Sequence, residues 1–196
     1  MKKSDNCRMC RAAGEKLFLK GEKCNLPTCP FLKRSYAPGQ AGPKARPRRG
    51  SDYSIQLKEK QKARAIYGVS ERQMANYFKL SRKTKSETGS KLIQMLETRM
   101  DNVVFRSGWA SSRDEARQMV AHGKVSLNSR KSKTPSCQVR INDELKIEKK
   151  GERKTELPKW LKASSSGDSV SIVGLPVRDD IQEAYNEQLI IEYYSR

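Results

Sequence analysis

Four of the chain's five cysteines, Cys7, Cys10, Cys24 and Cys29, crowd into its first thirty residues, while Cys137 stands alone. That crowding constrains the fold more than any other feature. The surrounding segment offers few large apolar residues, among them Leu17, Phe18, Leu19 and Leu26, too few to close a core unaided. The opening MKKSDNC is basic, but no apolar run follows it, which is not the pattern of a secretory signal. The chain is therefore expected to stay in the cytoplasm, where reducing conditions disfavour structural disulfides.

The spacing Cys7-x2-Cys10, thirteen residues, Cys24-x4-Cys29 then points to metal. Two close pairs on tight turns, the second stiffened by Pro27 and Pro30, can set four thiolates at the corners of a tetrahedron, the geometry of structural Zn2+. With four protein ligands no position is open for substrate or water, so the role predicted is structural. Lys2, Lys3, Arg8, Arg11 and Lys23 are expected to lower the thiol pKa values. Buried free cysteine and a four-cysteine Fe–S cluster are the alternatives. Cys137, in a strand-like run, reads as a core thiol.

Charge narrows the partner. Forty-one Lys and Arg face 22 Asp and Glu, a formal net charge of +19, on a scale that attracts polyanions, nucleic acid above all. The excess is uneven: 13 basic against 3 acidic residues in 1–50, but 6 against 8 in 151–196. No stretch approaches the run of about 20 apolar residues that a membrane helix needs. No membrane partner and no small-molecule substrate are expected.

Residues 35–51, rich in Pro, Gly and basic side chains, have neither helical nor strand period. A flexible linker would look the same. The charge favours an extended arm on phosphates, with Lys44, Arg46, Arg48 and Arg49 in contact. Two helices are predicted next, separated by Gly68 as a C-terminal cap and by the capping box Ser70-x-x-Gln73. Ile55, Leu57, Ala63, Ile66, Tyr67, Met74, Tyr77 and Phe78 are expected inward. Lys58, Lys62, Arg64 and Arg72 are the candidate RNA contacts of the basic face.

Leu92, Leu96, Met100 and Val104 repeat every four residues and predict one amphipathic helix ending near Gly108. Ser112-x-x-Glu115 opens another, with Ala116, Met119 and Val120 inward, Arg113 and Arg117 outward, and His122-Gly123 at its close. The period then changes to two. Val125–Leu127, Val139–Ile141 and Leu145–Ile147 read as strands, with Asn142-Asp143 as a turn. The serines and glycine of 164–167 mark a loop. The stripe Ile181, Tyr185, Leu189, Tyr193 predicts a final helix starting at Asp179-Asp180, whose charge suits a helix N-terminus. The fold class expected is α+β, with two helices and a small antiparallel sheet forming one compact unit.

LETRMDNVVFRSGWASSRDEARQMVAHGKVSLNSRK resembles a small RNA-binding module of ribosome- and tRNA-associated proteins. YAPGQAGPKARPRRGSDYSIQLKEKQKARAIYGVSERQ and NEQLIIEYYSR are similar to the N-terminal signature and C-terminus of the small-subunit ribosomal protein S-four family. The cysteines match its zinc-containing bacterial form. The resemblance runs collinearly over essentially the whole chain. It implies a short zinc-binding segment (1–34), the basic arm (35–51), a helical domain (52–93 and 175–196), and an RNA-binding domain (94–174) inserted within it.

The resemblance also implies a structural constituent of the small subunit and not an enzyme. Such proteins bind the five-prime domain of small-subunit rRNA, nucleate body assembly, contact ribosomal protein S-five, and lie near the path by which mRNA enters, influencing accuracy. The RNA-facing residues implied are Ser112, Arg113, Arg117, Gln118, His122, Lys124, Asn128, Arg130 and Lys131. Independently, a helix N-terminus at Ser112 favours anions, and Arg113 and Arg117, one turn apart, suit a phosphate. A solvated helix face is the plainer reading of those arginines. The chain departs from the family in carrying Asn128-Ser129 where Asn-Gly is usual, Ala37–Gly42 as APG-x-AG where PPG-x-HG is common, and Trp109 where Phe is usual.

Two other classes compete. An RNA-modifying enzyme bearing the same module needs a catalytic domain, yet no segment is left for one, and the lone histidine has no partner nucleophile in any recognisable motif. Asp101 reads instead as an ion-pairing residue beside Arg99. A zinc-dependent RNA- or DNA-binding regulator would present a recognition helix, whereas charge spread over three segments suits wrapping a folded RNA.

Overall fold

The computed structural model describes residues 6–40, 42–44, 50–84, 87–148, 157–181, 183 and 185–196. Two compact units emerge, one comprising Met1–Phe78 with Glu183–Arg196 and the other Lys79–Gln182. The second is thus inserted in the sequence of the first. The divisions between these units lie after Phe78 and after 182.

In the first unit, α1 (Asn6–Ala13) and the short α2 (Pro30–Lys33) flank a 3-10 turn at Gly21–Cys24. The long α3 (Asp52–Tyr67) starts at Ser51, whose hydroxyl accepts from the Ser54 amide, and ends at Gly68 with φ 60°. That left-handed conformation is cheap for glycine, and it lets the chain turn into α4 (Glu71–Arg82). The Ser70–Gln73 capping box is present in both directions: the Ser70 amide donates to Oε1 of Gln73, and the Gln73 amide donates to Oγ of Ser70.

The last helix, α8 (Glu187–Ser195), packs on α3. It begins later than the apolar stripe predicts. Asn186 caps it by accepting from the Gln188 and Leu189 amides, whereas Arg178–Asp180 is only a 3-10 turn. Ile181 and Tyr185 are buried but lie outside the helix. The stripe is a tertiary pattern, since the Tyr185 hydroxyl meets that of Tyr67 at 2.9 Å. On α3, Ile55, expected inward, is exposed, and Lys60 is buried.

The second unit holds α5 (Thr88–Glu97), α6 (Met100–Arg106) and α7 (Arg113–Ala121). Its sheet comprises β1 (Val125–Leu127), β2 (Arg130–Lys131), β3 (Glu144–Ile147), β4 (Leu161–Ala163) and β5 (Ser169–Ile172). All neighbours are antiparallel, in the order β2-β1-β3-β5-β4. Val125, Leu145, Ile147, Val170 and Ile172 meet Met100, Val103, Ala116 and Val120 in one core with Trp109 and Trp160. Each of the valine, leucine, isoleucine and methionine side chains contributes roughly 1.5–3 kcal/mol by burial.

The single helix expected through Leu92 and Val104 is two. Arg99 is extended (φ −66°, ψ 138°) and breaks the run. The apolar repeat continues across the break because both helices face one core, so neither Gly nor Pro marks it. Residues 135–139 run along the break: the Met100 and Asp101 amides donate to the Cys137 and Pro135 carbonyls, and the Val139 amide donates to that of Thr98. This is why Val139–Ile141 is not a strand of the sheet. Those residues satisfy a helix start instead, and Cys137 lies in the same irregular segment, half-buried against the core.

Candidate nucleic-acid interface and cysteine cluster

Tight geometry builds the edge formed by α7 and the β1–β2 hairpin. Oγ of Ser112 accepts from the Glu115 amide, as expected of an N-cap, but the Glu115 carboxylate reaches back to the Ser111 amide (2.8 Å) instead of that of Ser112. The β1–β2 connection is a two-residue turn, with Asn128 at φ 47° and Ser129 at φ 65° between paired Leu127 and Arg130. Positive φ at both central residues is the type I′ hairpin. Ser129 therefore occupies the position that would suit glycine, and the turn stays tight.

Gln118, His122, Lys124, Asn128, Arg130 and Lys131 are all exposed, in the α7 C-terminal turn and the adjoining hairpin. Two of them also have structural work. Nδ2 of Asn128 donates to Asp143 (2.7 Å), and its Oδ1 accepts from the Glu144 amide (2.9 Å), tying the hairpin to the Asn142–Asp143 turn. Lys131 pairs with Glu148.

Arg113 and Arg117 are not on a merely solvated face. Nε and Nη2 of Arg117 donate to Oδ2 of buried Asp101 at 3.0 and 2.7 Å. Nε of Arg113 donates to Oδ1 of Asn102 (2.7 Å), and its guanidinium lies 4.4 Å from the Phe105 ring centroid. Behind them, Arg99 grips both oxygens of Asp101 (3.0 and 2.6 Å), and Arg106 forks onto Glu97 (3.0 and 2.8 Å), which also accepts from Nδ2 of Asn102 (2.7 Å). Glu97 is wholly buried. Asp101 is the ion-pairing residue expected of it, in the first turn of α6. Sequence reasoning missed Glu97, Asn102 and Arg106. Their signal was the density of opposite charges within an apolar helical repeat.

In the helical unit, Lys58 and Arg72 are exposed, as is Lys44 ahead of it. Arg46, Arg48 and Arg49 lie outside the described residues. The ammonium of Lys62, on a side chain only 13% exposed, sits 2.6 Å from Glu15 and 2.6 Å from Glu59. Burial pushes that ammonium below the ordinary lysine range. Lys62 thus fastens the N-terminal segment to α3. Arg64 pairs with Glu71 (3.2 Å), which also takes Lys60 (2.8 Å) and the Tyr194 hydroxyl (2.8 Å). Burial alone would raise the Glu71 carboxyl, yet these donors hold it below its usual value.

The four N-terminal cysteines line one small cavity, walled also by Lys16 and Lys20. Cys10, Cys24 and Cys29 are buried and Cys7 is half-buried. The Lys20 amide donates to Sγ of Cys24 (3.3 Å), and the Leu17 amide acts on Cys10. Burial pushes the Cys10 and Cys24 thiols up, with the other cysteines adding to it. For these two, desolvation outweighs the lowering that Lys20 contributes at Cys24; Lys2 and Lys3 lie outside the described residues. Among the described residues no group of three or more His, Cys, Asp or Glu stands at metal-binding spacing.

A basic helical unit carrying an inserted α+β module, with arginines braced at the module's helix edge, defines a nucleic-acid-binding class of protein. Residues 1–97 match the Ribosomal protein S4/S9 N-terminal domain family, and residues 98–145 match the S4 domain. The small ribosomal subunit protein uS4 of Desulfovibrio desulfuricans is 46% identical over 202 residues, covering 97% of this chain and 96% of that protein. The uS4 proteins of Thermus thermophilus (46%, the same shares) and Dictyoglomus thermophilum (42%, 97% of each) are similar over 203 and 201 residues. The chain belongs to the small ribosomal subunit protein uS4 family. That family is one of structural proteins, not enzymes, and the match favours the ribosomal reading over a regulator acting elsewhere.

Proposed function

We propose that the protein is a structural constituent of the small ribosomal subunit in the cytoplasm that binds the five-prime domain of small-subunit rRNA directly. There it helps nucleate assembly of the body and contributes to translational accuracy, contacting ribosomal protein S-five and lying near the path by which mRNA enters. The observation that carries this reading is the collinear match to uS4 proteins over 97% of the chain. The net charge of +19 and the exposed Gln118, His122, Lys124 and Arg130 at one module edge support it. Recognition of this kind works through shape, phosphate and 2′-hydroxyl contacts, and affinity falls with salt as counterions are released. The test is binding to a five-prime-domain rRNA fragment across a salt series, with an equally structured unrelated RNA as competitor. Preference for the fragment that persists at moderate salt is expected. Equal affinity at every salt overturns the reading.

The N-terminal segment is read as a structural zinc site held by Cys7, Cys10, Cys24 and Cys29. Four thiols lining one cavity are the donor type that four-coordinate zinc takes, and amide donation to sulfur orients such ligands; since the described thiols do not stand at ligand spacing, the metal itself would draw them together. The metal would supply folding free energy to a segment with little apolar core. Elemental analysis of purified protein should give one zinc per chain; iron with sulfide would favour the Fe–S cluster instead.

A further inference from the structure

We propose that Asp101, Asn102 and Phe105 are positioning residues for RNA binding, which hold Arg113 and Arg117 in place before the RNA arrives; the proposal rests on the RNA-binding reading above. Three observations converge on it. Arg117 lays one edge of its guanidinium on a carboxylate that is 4% exposed, while 34% of its own side chain remains accessible. Asp101 already has a second guanidinium on both oxygens, that of buried Arg99, so Arg117 is not required to neutralise it. The acceptor that orients Arg113 is the neutral amide of Asn102, and its stacking partner is the Phe105 ring.

Both arginines are thus gripped from beneath by the first turns of α6, one helical turn apart on α7. The named charges of this cluster are those of Glu97, Asp101, Arg99, Arg106, Arg113 and Arg117, four cations against two anions. A surface arginine ordinarily loses rotamer freedom when it clamps a phosphate. One braced by a buried carboxylate or a ring has lost much of it already, and a preorganised group binds more tightly for the same contact. The break at Arg99, which interrupts an otherwise continuous helix, is what brings Asp101 and Asn102 under α7.

The experiment measures affinity for the five-prime-domain fragment across a salt series, on full-length protein with fold and Tm checked for each variant. Phe105→Leu keeps an apolar side chain and every ionic partner. Asp101→Asn, which leaves Arg99 with a weaker partner, is the harsher companion. Expected is about a two- to tenfold rise in Kd with an unchanged salt slope, because the cations still reach the RNA but must be ordered on binding. Arg117→Ala, by contrast, should reduce the slope by about one ion. A purely structural role lowers Tm and leaves the Kd of folded protein untouched, which overturns the proposal. So does a loss of affinity in Phe105→Leu that comes with a shallower slope. If wild-type protein fails to prefer the rRNA fragment, the RNA-binding reading itself falls, and this proposal with it.

Discussion

The N-terminal segment and the inserted module solve the same problem with opposite chemistry. In the module, fully buried Val103, Val120, Leu145 and Val170 close a continuous apolar core between helices and sheet. In residues 6–34 the buried side chains are Asn6, Leu17 and three cysteines, and Phe18, Leu26 and Leu32 are exposed. A core of thiols supplies little transfer free energy, so order there must come from a ligand or from outside contacts such as the Lys62 pair with Glu15. The module also buries charge, but as mutually satisfied ion pairs. These specify geometry more than they add stability.

With the zinc site proposed above, the widest separation between the two regions should come from metal removal. A strong chelator, or Cys24→Ser, is expected to abolish amide-exchange protection over residues 6–34 and leave the module's protection unchanged, since metal binding in such sites is worth on the order of 10 kcal/mol. Equal loss in both regions would erase the contrast. Next is Asp101→Ala, which strands Arg99 in the core. It should cost the module about 3–5 kcal/mol, seen in denaturant unfolding of the full chain, with protection in 52–67 retained.

A smaller effect belongs to the helical unit. Glu71 has its carboxyl below the ordinary value of 4.5, so its stabilising contribution is present above that pH and fades as the pH falls through the lower folded-state value. Glu71→Gln should flatten the acid limb of the melting profile of helices α3 and α8 while leaving the module's limb alone. The smallest change is a gain. Ser129→Gly relieves a left-handed non-glycine residue and should stabilise the hairpin by about 1 kcal/mol, measured as a higher Tm. A decrease would mean that the Ser129 side chain makes a contact worth more than the strain.

Much of this architecture is legible in the sequence because it is written in local chemistry. Gly68, the Ser70–Gln73 box, the Ser112 cap and the His122–Gly123 stop are decided within a turn or two of backbone, and the structure has each of them. The strands at 125–127 and 144–147 follow from period two. β4 and β5 are no shorter than β1 and β3, but the serine- and glycine-rich stretch between them reads as a loop and hides them in the sequence. The exposed hairpin residues were legible as polar, and Cys7, Cys10, Cys24 and Cys29 as a set, since spacing alone brings close pairs together.

The sequence by itself determined the family, the charge that calls for a polyanion, the caps, and the meeting of four thiols, because these depend on residue identity and short-range spacing. Only the tertiary structure decided where the chain uses its charges. Lys62 and Arg64, basic in any helical projection, turn to Glu15, Glu59 and Glu71. A helix that periodicity makes continuous breaks at Arg99 so that Arg99 can reach Asp101. The late start of α8 likewise follows from Asn186, whose amide donates to Glu59 of α3 (3.0 Å). Lys62 and Asn186 meet partners far away in sequence, Glu15 and Glu59, which no local pattern announces. Arg99 and Asp101 are near neighbours, but their pair forms because the fold buries both, and burial strengthens whichever pairing the fold brings together.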